Sequence, residues 1–282
     1  MGNLVNRHRL AKTTGNTLTY AIFVAVFILV VFPMVWMFYT SFKLQWEIFA
    51  DPFALPTSLN PVNYVKAWTA GDFNRFFFNS VIVTIPSVVG ILLVSALAAF
   101  AFARFKFRGS NLLFYFILIG IMVPPQAIVI PAFQLIAGLG LINNFAALFF
   151  TYLSWCPVGI FILRAFFKSL PEDLYDAAKV DGATSFRTFW QIALPLAKPA
   201  LATVSIFYFV WVWNDFLYPL LYLQKDTMST IPMGLMLFNG RYQTDWGMQT
   251  AALSIATFVP LTFYMLFQDK FVSGMTAGAI KG

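Results

Sequence analysis

The sequence predicts an all-α membrane protein with six transmembrane helices, both termini on the cytoplasmic side, and a polar helix-turn-helix set between the fourth and fifth spans. Three observations lead there. Hydrophobic residues fill 60% of the 282 positions and charged ones only 10%, far from the roughly 25% charge of soluble globular domains. Charge-free runs extend from Thr13 to Phe42, Phe76 to Ala103, Gly109 to Leu163 and Trp246 to Gln268, each long enough for the ~20 helical residues that a ~30 Å bilayer core requires. A polar segment, 169–195, interrupts them.

The first span is placed at 18–41, after a basic cytoplasmic tail, 1–17. It is too long for a secretory signal, and Pro33-Met34-Val35-Trp36-Met37-Phe38-Tyr39 lacks a small-residue cleavage pattern, so it is retained. The second span covers 77–103. The block from Gly109 to Leu163 would be ~80 Å long as one helix and must fold back. Its turn is Gly138-Leu139-Gly140-Leu141-Ile142-Asn143-Asn144, with two glycines and two asparagines. That gives spans at 112–136 and 145–167. Pro199 to Leu223 supplies the fifth, 200–223, and the sixth is 249–268. The transmembrane domain is therefore 18–270, with an external loop at 224–248 and a cytoplasmic tail at 271–282.

Lys and Arg set the orientation. With the N-terminus inside, thirteen cations are cytoplasmic, among them Arg104, Lys106, Arg108, Arg164 and Lys168, against Lys43, Lys66, Arg75, Lys225 and Arg241 outside. This satisfies the positive-inside rule. Topology thus explains the net charge of +7, and membrane lipid, not nucleic acid, is the expected surrounding. Cys156 is the only cysteine and His8 the only histidine, which excludes disulfides within the chain, a Cys/His metal site and a His-based triad. No Gly-Lys dipeptide occurs, so there is no P-loop. No cofactor is expected in this chain, and if ATP drives it, another polypeptide binds the nucleotide.

The polar segment reads as two short helices. Ser169 followed by Glu172 suggests a capping box with Pro171 in the first turn. Leu174, Ala177 and Ala178 share a face, and Glu172, Asp173, Asp176 and Lys179 decorate the rest. Gly182 stops the first helix with a positive φ. Thr184 or Ser185 caps a second helix that runs to Leu194 and ends at Pro195. The small alanine face suits docking into a protein groove; the competing reading is a helix resting on lipid headgroups, which so small a face would hold weakly.

At these residues the chain resembles a family. Asp176-Ala177-Ala178, three residues, Gly182, nine residues, then Ile192-x-Leu194-Pro195 is similar to the Glu-Ala-Ala loop of the membrane permeases of bacterial ABC importers. Asn79-Ser80, Trp213-Asn214-Asp215, Asp245-Trp246 and the tail from Gly274 to Gly282 extend the likeness to the smaller six-span permease of maltose-type carbohydrate importers. Asp176 departs from the pattern, which usually has Glu there.

The resemblance implies a six-helix ABC importer permease fold and a set of partners. These are a second homologous permease, a dimer of ATP-binding cassette subunits that bind ATP and Mg, and an extracytoplasmic solute-binding protein. Glu172, Asp176, Ala177, Ala178, Asp181 and Gly182 would form the coupling loop held by one ATPase subunit. Gly274, Thr276, Gly278 and Lys281 would contact the ATPase dimer, in a tail whose glycines favour an extended chain over a helix. Asn239-Gly240-Arg241-Tyr242, a turn signal, would be a tip inserted into the binding protein; its bland alternative is a solvated turn.

Polar side chains within a span usually face a cavity or a partner. Gln126, Asn214 and Asp215 are accordingly candidates for the solute path, with Trp213 as a sugar-stacking ring; the alternative puts Asp215 at the outer interface and the Trp residues in the aromatic belt. The reading is a non-enzymatic permease subunit for a sugar or oligosaccharide in the bacterial inner membrane. The same class importing glycerol phosphate, a polyol or an acidic oligosaccharide is the alternative. A secondary transporter would need repeated broken helices and intramembrane ionisable residues; only Asp215 lies clearly within a span.

Overall fold

The computed structural model describes the backbone of residues 2–241 and 245–279 and the side chains of 19–236 and 245–269. Tyr242 and Lys281 lie outside the described residues, as do the side chains of Asn239, Gly240, Arg241, Gly274, Thr276 and Gly278. The described chain is helical throughout, without strands: α1 (Gly2–Thr40), α2 (Gln45–Ala50), α3 (Val62–Thr69), α4 (Phe73–Arg104), α5 (Ser110–Met122), α6 (Val129–Gly138), α7 (Phe145–Leu153), α8 (Pro157–Ser169), α9 (Asp173–Val180), α10 (Ser185–Thr188), α11 (Leu194–Leu196), α12 (Lys198–Trp213), α13 (Leu217–Tyr222), α14 (Ile231–Arg241) and α15 (Trp246–Ala279).

Among the described residues, Thr19–Thr40, Phe73–Arg104 and Trp246–Asp269 are long and apolar enough to cross a membrane as single helices, and three bent pairs bring the count to six. The six expected spans are thus present, three of them bent. The third span turns by 93° between Ser110–Met122 and Pro125–Gly138. Pro124 and Pro125 remove two N–H donors, and Val123, preceding them, is extended at φ −85°, ψ 111°, as a residue before proline must be. The fourth bends by 45° before Pro157, and the fifth meets Ser185–Leu196 at 76°. The fifth also stops at Trp213, short of the expected 223; Asp215 Oδ1 then accepts from Leu217 N at 3.2 Å, opening α13.

The chain divides into two compact units, Met1–Gly71 with Phe238–Ile255, and Asp72–Leu237 with Ala256–Gly282. In the first, the external segment after α1 folds around buried polar groups. Lys43, 1% exposed, donates through Nζ to Asp51 O at 2.9 Å and Pro52 O at 3.2 Å. Asn63 Nδ2 donates to Ser41 O and Lys43 O, both at 2.8 Å. Glu47 accepts from Leu44 N at 2.7 Å, from Thr57 N at 3.2 Å and from the Thr57 hydroxyl. These bonds hold the Glu47 carboxyl below its ordinary value, the Thr57 hydroxyl contributing most and the Leu44 N–H next. Gly247 lies so close that a Cβ there would stand 2.6 Å from Asn63 Nδ2.

The second unit is organised on α4, which packs most extensively against α8 and then α12 and α7. The break between α7 and α8 frees carbonyls that hydrocarbon cannot satisfy, at a cost of several kcal/mol each. Tyr208 Oη donates to Trp155 O at 2.8 Å and accepts from Gly159 N at 2.7 Å, and Ser95 Oγ donates to Cys156 O at 3.2 Å. Only glycine fits at 159, since a Cβ would meet Ser95 Oγ at 2.5 Å. At the outer end, the predicted turn forms: α6 ends at Gly138, Gly140 and Asn143 adopt φ of 70° and 59°, and Asn144 caps α7 by accepting from Ala146 N at 2.9 Å.

Candidate functional site

The cytoplasmic polar segment is built mostly as expected, with three corrections. Ser169 forms no capping box: it ends α8, and its hydroxyl donates to Phe166 O at 2.7 Å. Pro171 forces Leu170 to be extended, with ψ 137°, so α9 starts afresh at Asp173 behind Glu172. Pro195 does not end the second helix, which continues to Leu196. A π-helical turn, Phe189–Ala193, widens the chain just before the proline and so accommodates its missing N–H and its ring. Thr184 caps α10 as anticipated, accepting from Arg187 N at 3.3 Å.

The third correction concerns the alanine face. Ala178 is 4% exposed and packs inside the chain together with Tyr175, while Leu174, Ala177 and Val180 are exposed. The pair Ala177-Ala178 is therefore divided between an inner and an outer face. Glu172, Asp176 and Asp181 are exposed; Asp173 and Asp176 occupy the first turn of α9, where negative charge complements the helix dipole. Gly182, at φ 73°, closes α9: Ala183 N donates to Ala178 O at 2.9 Å and Gly182 N to Lys179 O at 3.1 Å, the two bonds of a Schellman motif.

Two residues of α4, missed in the sequence, seat this segment. Phe100 lies 5.8 Å from Phe167, 6.3 Å from Tyr175 and 5.3 Å from Phe189, centre to centre, joining α8, α9 and the π-helical turn. One turn later, Arg104 Nη2 donates to Phe167 O at 2.7 Å and Leu170 O at 3.1 Å, and its guanidinium covers the Tyr175 ring at 3.4 Å. Their i,i+4 spacing was the available signal.

On the external side, Asn79 and Ser80 hold the start of the long loop. Asn79 Nδ2 donates to Thr227 O at 3.1 Å and Ser229 O at 2.9 Å, and Ser80 Oγ accepts from Ile231 N at 2.8 Å. The backbone of Asn239, Gly240 and Arg241 is the end of α14, not the turn expected there. Likewise α15 runs unbroken to Ala279, so Gly274, Thr276 and Gly278 are helical where an extended tail was anticipated. Prolonging an existing helix needs no nucleation, which offsets the ~1 kcal/mol cost of each glycine.

The candidate path residues separate. Trp213 is 3% exposed, stacks on Phe209 at 5.6 Å and donates from Nε1 to Ala256 O at 3.2 Å, so it is an interior residue and offers no open ring. Asn214 and Asp215 do line a groove of about 840 Å³, together with Trp155, Trp211, Ser154 and Tyr218. Pro125 and Ile128 bound it, and Gln126, between them in sequence, is exposed. The groove sits where the third, fourth and fifth spans break. Tyr152 Oη fixes Asp215, donating to Oδ2 at 2.7 Å.

The fold is that of a helical membrane protein with broken spans around a polar and aromatic groove and a short helix, α9, clamped on the cytoplasmic side. The chain belongs to the binding-protein-dependent transport system inner membrane component family, whose signature matches residues 90–277. It is a multi-pass protein of the inner membrane. It is 36% identical over 95% of its length to a probable ABC transporter permease of Bacillus subtilis, covering 89% of that protein. It is 33% identical over 94% of its length to the diacetylchitobiose uptake system permease of Streptomyces coelicolor, covering 88%. A bacterial ABC transporter involved in alginate import shares the fold, with a TM-score of 0.78 at 20% identity over 90% of this chain and 95% of that one.

Proposed function

We propose that this permease forms, with a second homologous permease, the path for a neutral sugar or oligosaccharide delivered by an extracytoplasmic binding protein. ATP and Mg are bound by a separate pair of ATPase subunits, one of which holds α9. The observation that carries this reading is the outer face of α9: Leu174, Ala177 and Val180 are exposed, Val180 at 88%, while Tyr175 and Ala178 anchor the opposite face. Gly182 closes that helix and Glu172, Asp176 and Asp181 rim it. Gly274, Thr276, Gly278 and Lys281 extend the ATPase contact, and Asn239, Gly240, Arg241 and Tyr242 meet the binding protein.

The groove favours neutral cargo. Trp155 and Trp211 offer apolar ring faces, Ser154 and Asn214 offer hydrogen bonds, and Asp215 is the charged residue lining it, with no Lys or Arg among the described residues that do. A carboxylate with no cation beside it in the groove repels glycerol phosphate or an acidic oligosaccharide. Systems for diacetylchitobiose and for trehalose/maltose are among the relatives, which supports a saccharide. Reconstituting the chain with the second permease, the ATPases and the binding protein, and assaying ATP-driven uptake over neutral and acidic saccharides, tests this. Uptake of a neutral sugar is expected; stimulation by acidic cargo alone, or gradient-driven uptake by the isolated chain, refutes it.

A further inference from the structure

Between the cytoplasmic ends of α4 and α8 lies a recess of about 720 Å³, whose cations the transport reading leaves unused. Arg104, Lys106, Arg108, Arg164 and Lys168 line it against a single carboxylate, Glu172, so five cations against one acid leave a surplus of four. Two of the five are held in place by the chain. Arg104 is fixed on the Phe167 and Leu170 carbonyls. Arg164 donates from Nε to Phe102 O at 3.2 Å and from Nη2 to Asn111 Oδ1 at 3.3 Å, and covers Phe114 at 3.8 Å. Neither contact is with an acid, and Arg104 Nε is buried without an acceptor among the described residues.

Lys106, Arg108 and Lys168 are exposed. The two ion pairs among the described residues, Lys66–Asp245 and Arg75–Asp72, lie elsewhere. Convergent cations at the cytoplasmic end of spans attract phosphate groups. Phe105 and Phe107 alternate with them in sequence and are 47% and 44% exposed. A soluble phosphate has no use for such rings; the acyl boundary beside a headgroup does.

We propose that this recess binds the phosphodiester headgroup of an anionic phospholipid of the inner leaflet, with Lys106, Arg108 and Lys168 as its exposed ligands beside the held guanidiniums of Arg104 and Arg164. The site also contains Glu172, so an occupied recess bears on the residue that introduces α9.

The test is native mass spectrometry of the full-length chain with its co-purifying partners, in detergent supplemented with phosphatidylglycerol, phosphatidylcholine or inorganic phosphate. The wild type is expected to retain phosphatidylglycerol over phosphatidylcholine. The Lys106→Gln, Arg108→Gln, Lys168→Gln triple variant should lose that preference by on the order of 100-fold, about fivefold per charge. A variant with Lys66, Arg75 and Lys225 changed to Gln carries the same net charge and should retain the lipid. Equal retention of the two lipids by the wild type, or unchanged retention by the first triple variant, overturns the proposal. Displacement of the lipid by millimolar inorganic phosphate assigns the recess to soluble phosphate and overturns it too, as does loss of the ATPase subunits with lipid retention intact.

Discussion

The Arg104 guanidinium lies 3.4 Å from the centre of the Tyr175 ring while its Nη2 holds the last carbonyls of α8. One side chain thereby ties the second span, the end of the fourth and α9. A planar, delocalised cation does both tasks at once, which a lysine ammonium cannot.

Arg104→Lys is therefore expected to leave insertion intact while lowering solute transported per ATP hydrolysed by up to roughly thirtyfold, the desolvated cation–π contact being worth ~2 kcal/mol. Reconstituted uptake and ATPase activity measured together check this. Proportional loss of both activities would indicate misfolding instead.

Ala177 and Ala178 should behave differently although they are adjacent. Ala177→Asp places a charge on the outer face and is expected to release the ATPase subunits during co-purification from a normally folded chain. Ala178→Asp buries an unpaired charge, costing several kcal/mol, and should lower the yield and melting temperature of the chain itself. Identical phenotypes would put both residues on one face.

The tryptophans divide similarly. Trp211→Ala or Trp155→Ala is expected to raise the half-saturating concentration of loaded binding protein by roughly threefold to tenfold, the range of one aromatic stacking contact, at normal expression. Trp213→Ala should instead destabilise the chain by about 3–5 kcal/mol, as for a large buried ring, with tryptophan fluorescence melting as the readout. A transport defect in Trp213→Ala without instability would restore it to the path.

Glu47 gives the external segment a pH dependence. Its carboxyl is held below the ordinary value of 4.5, so its contribution is complete above that value and disappears as pH falls through the lower folded one. Glu47→Gln is expected to melt earlier than the wild type near pH 7, with the gap closing as pH falls below 4.5 and through the lower folded value. A gap that stays constant across this window would show that the carboxylate charge plays no part.

Spans and sides were legible because charge-free length and cation placement respond directly to the bilayer. Gly182 was legible because its positive φ leaves few other residues. The breaks at Pro124-Pro125 and after Trp213 were harder, since hydrophobicity continues across them and only the backbone changes course. Ser169 misled because the capping pattern does not distinguish the end of one helix from the start of the next. Nor does local spacing reveal that Ala178 turns inward, which depends on Tyr175 finding Arg104 some seventy positions away. In the groove, Asn214 and Asp215 stood out as polar residues in an apolar run, whereas Trp155 and Trp211 look like any aromatic in a chain with 34 phenylalanines.

The knot of Ser95, Gly159 and Tyr208 makes the second, fourth and fifth spans a single gear. Sliding α8 past α12 by more than a hydrogen bond tolerates would strand the Trp155 carbonyl and the Gly159 N–H in hydrocarbon. The second, fourth and fifth spans are therefore tied to one another inside the bilayer and not only at its surfaces.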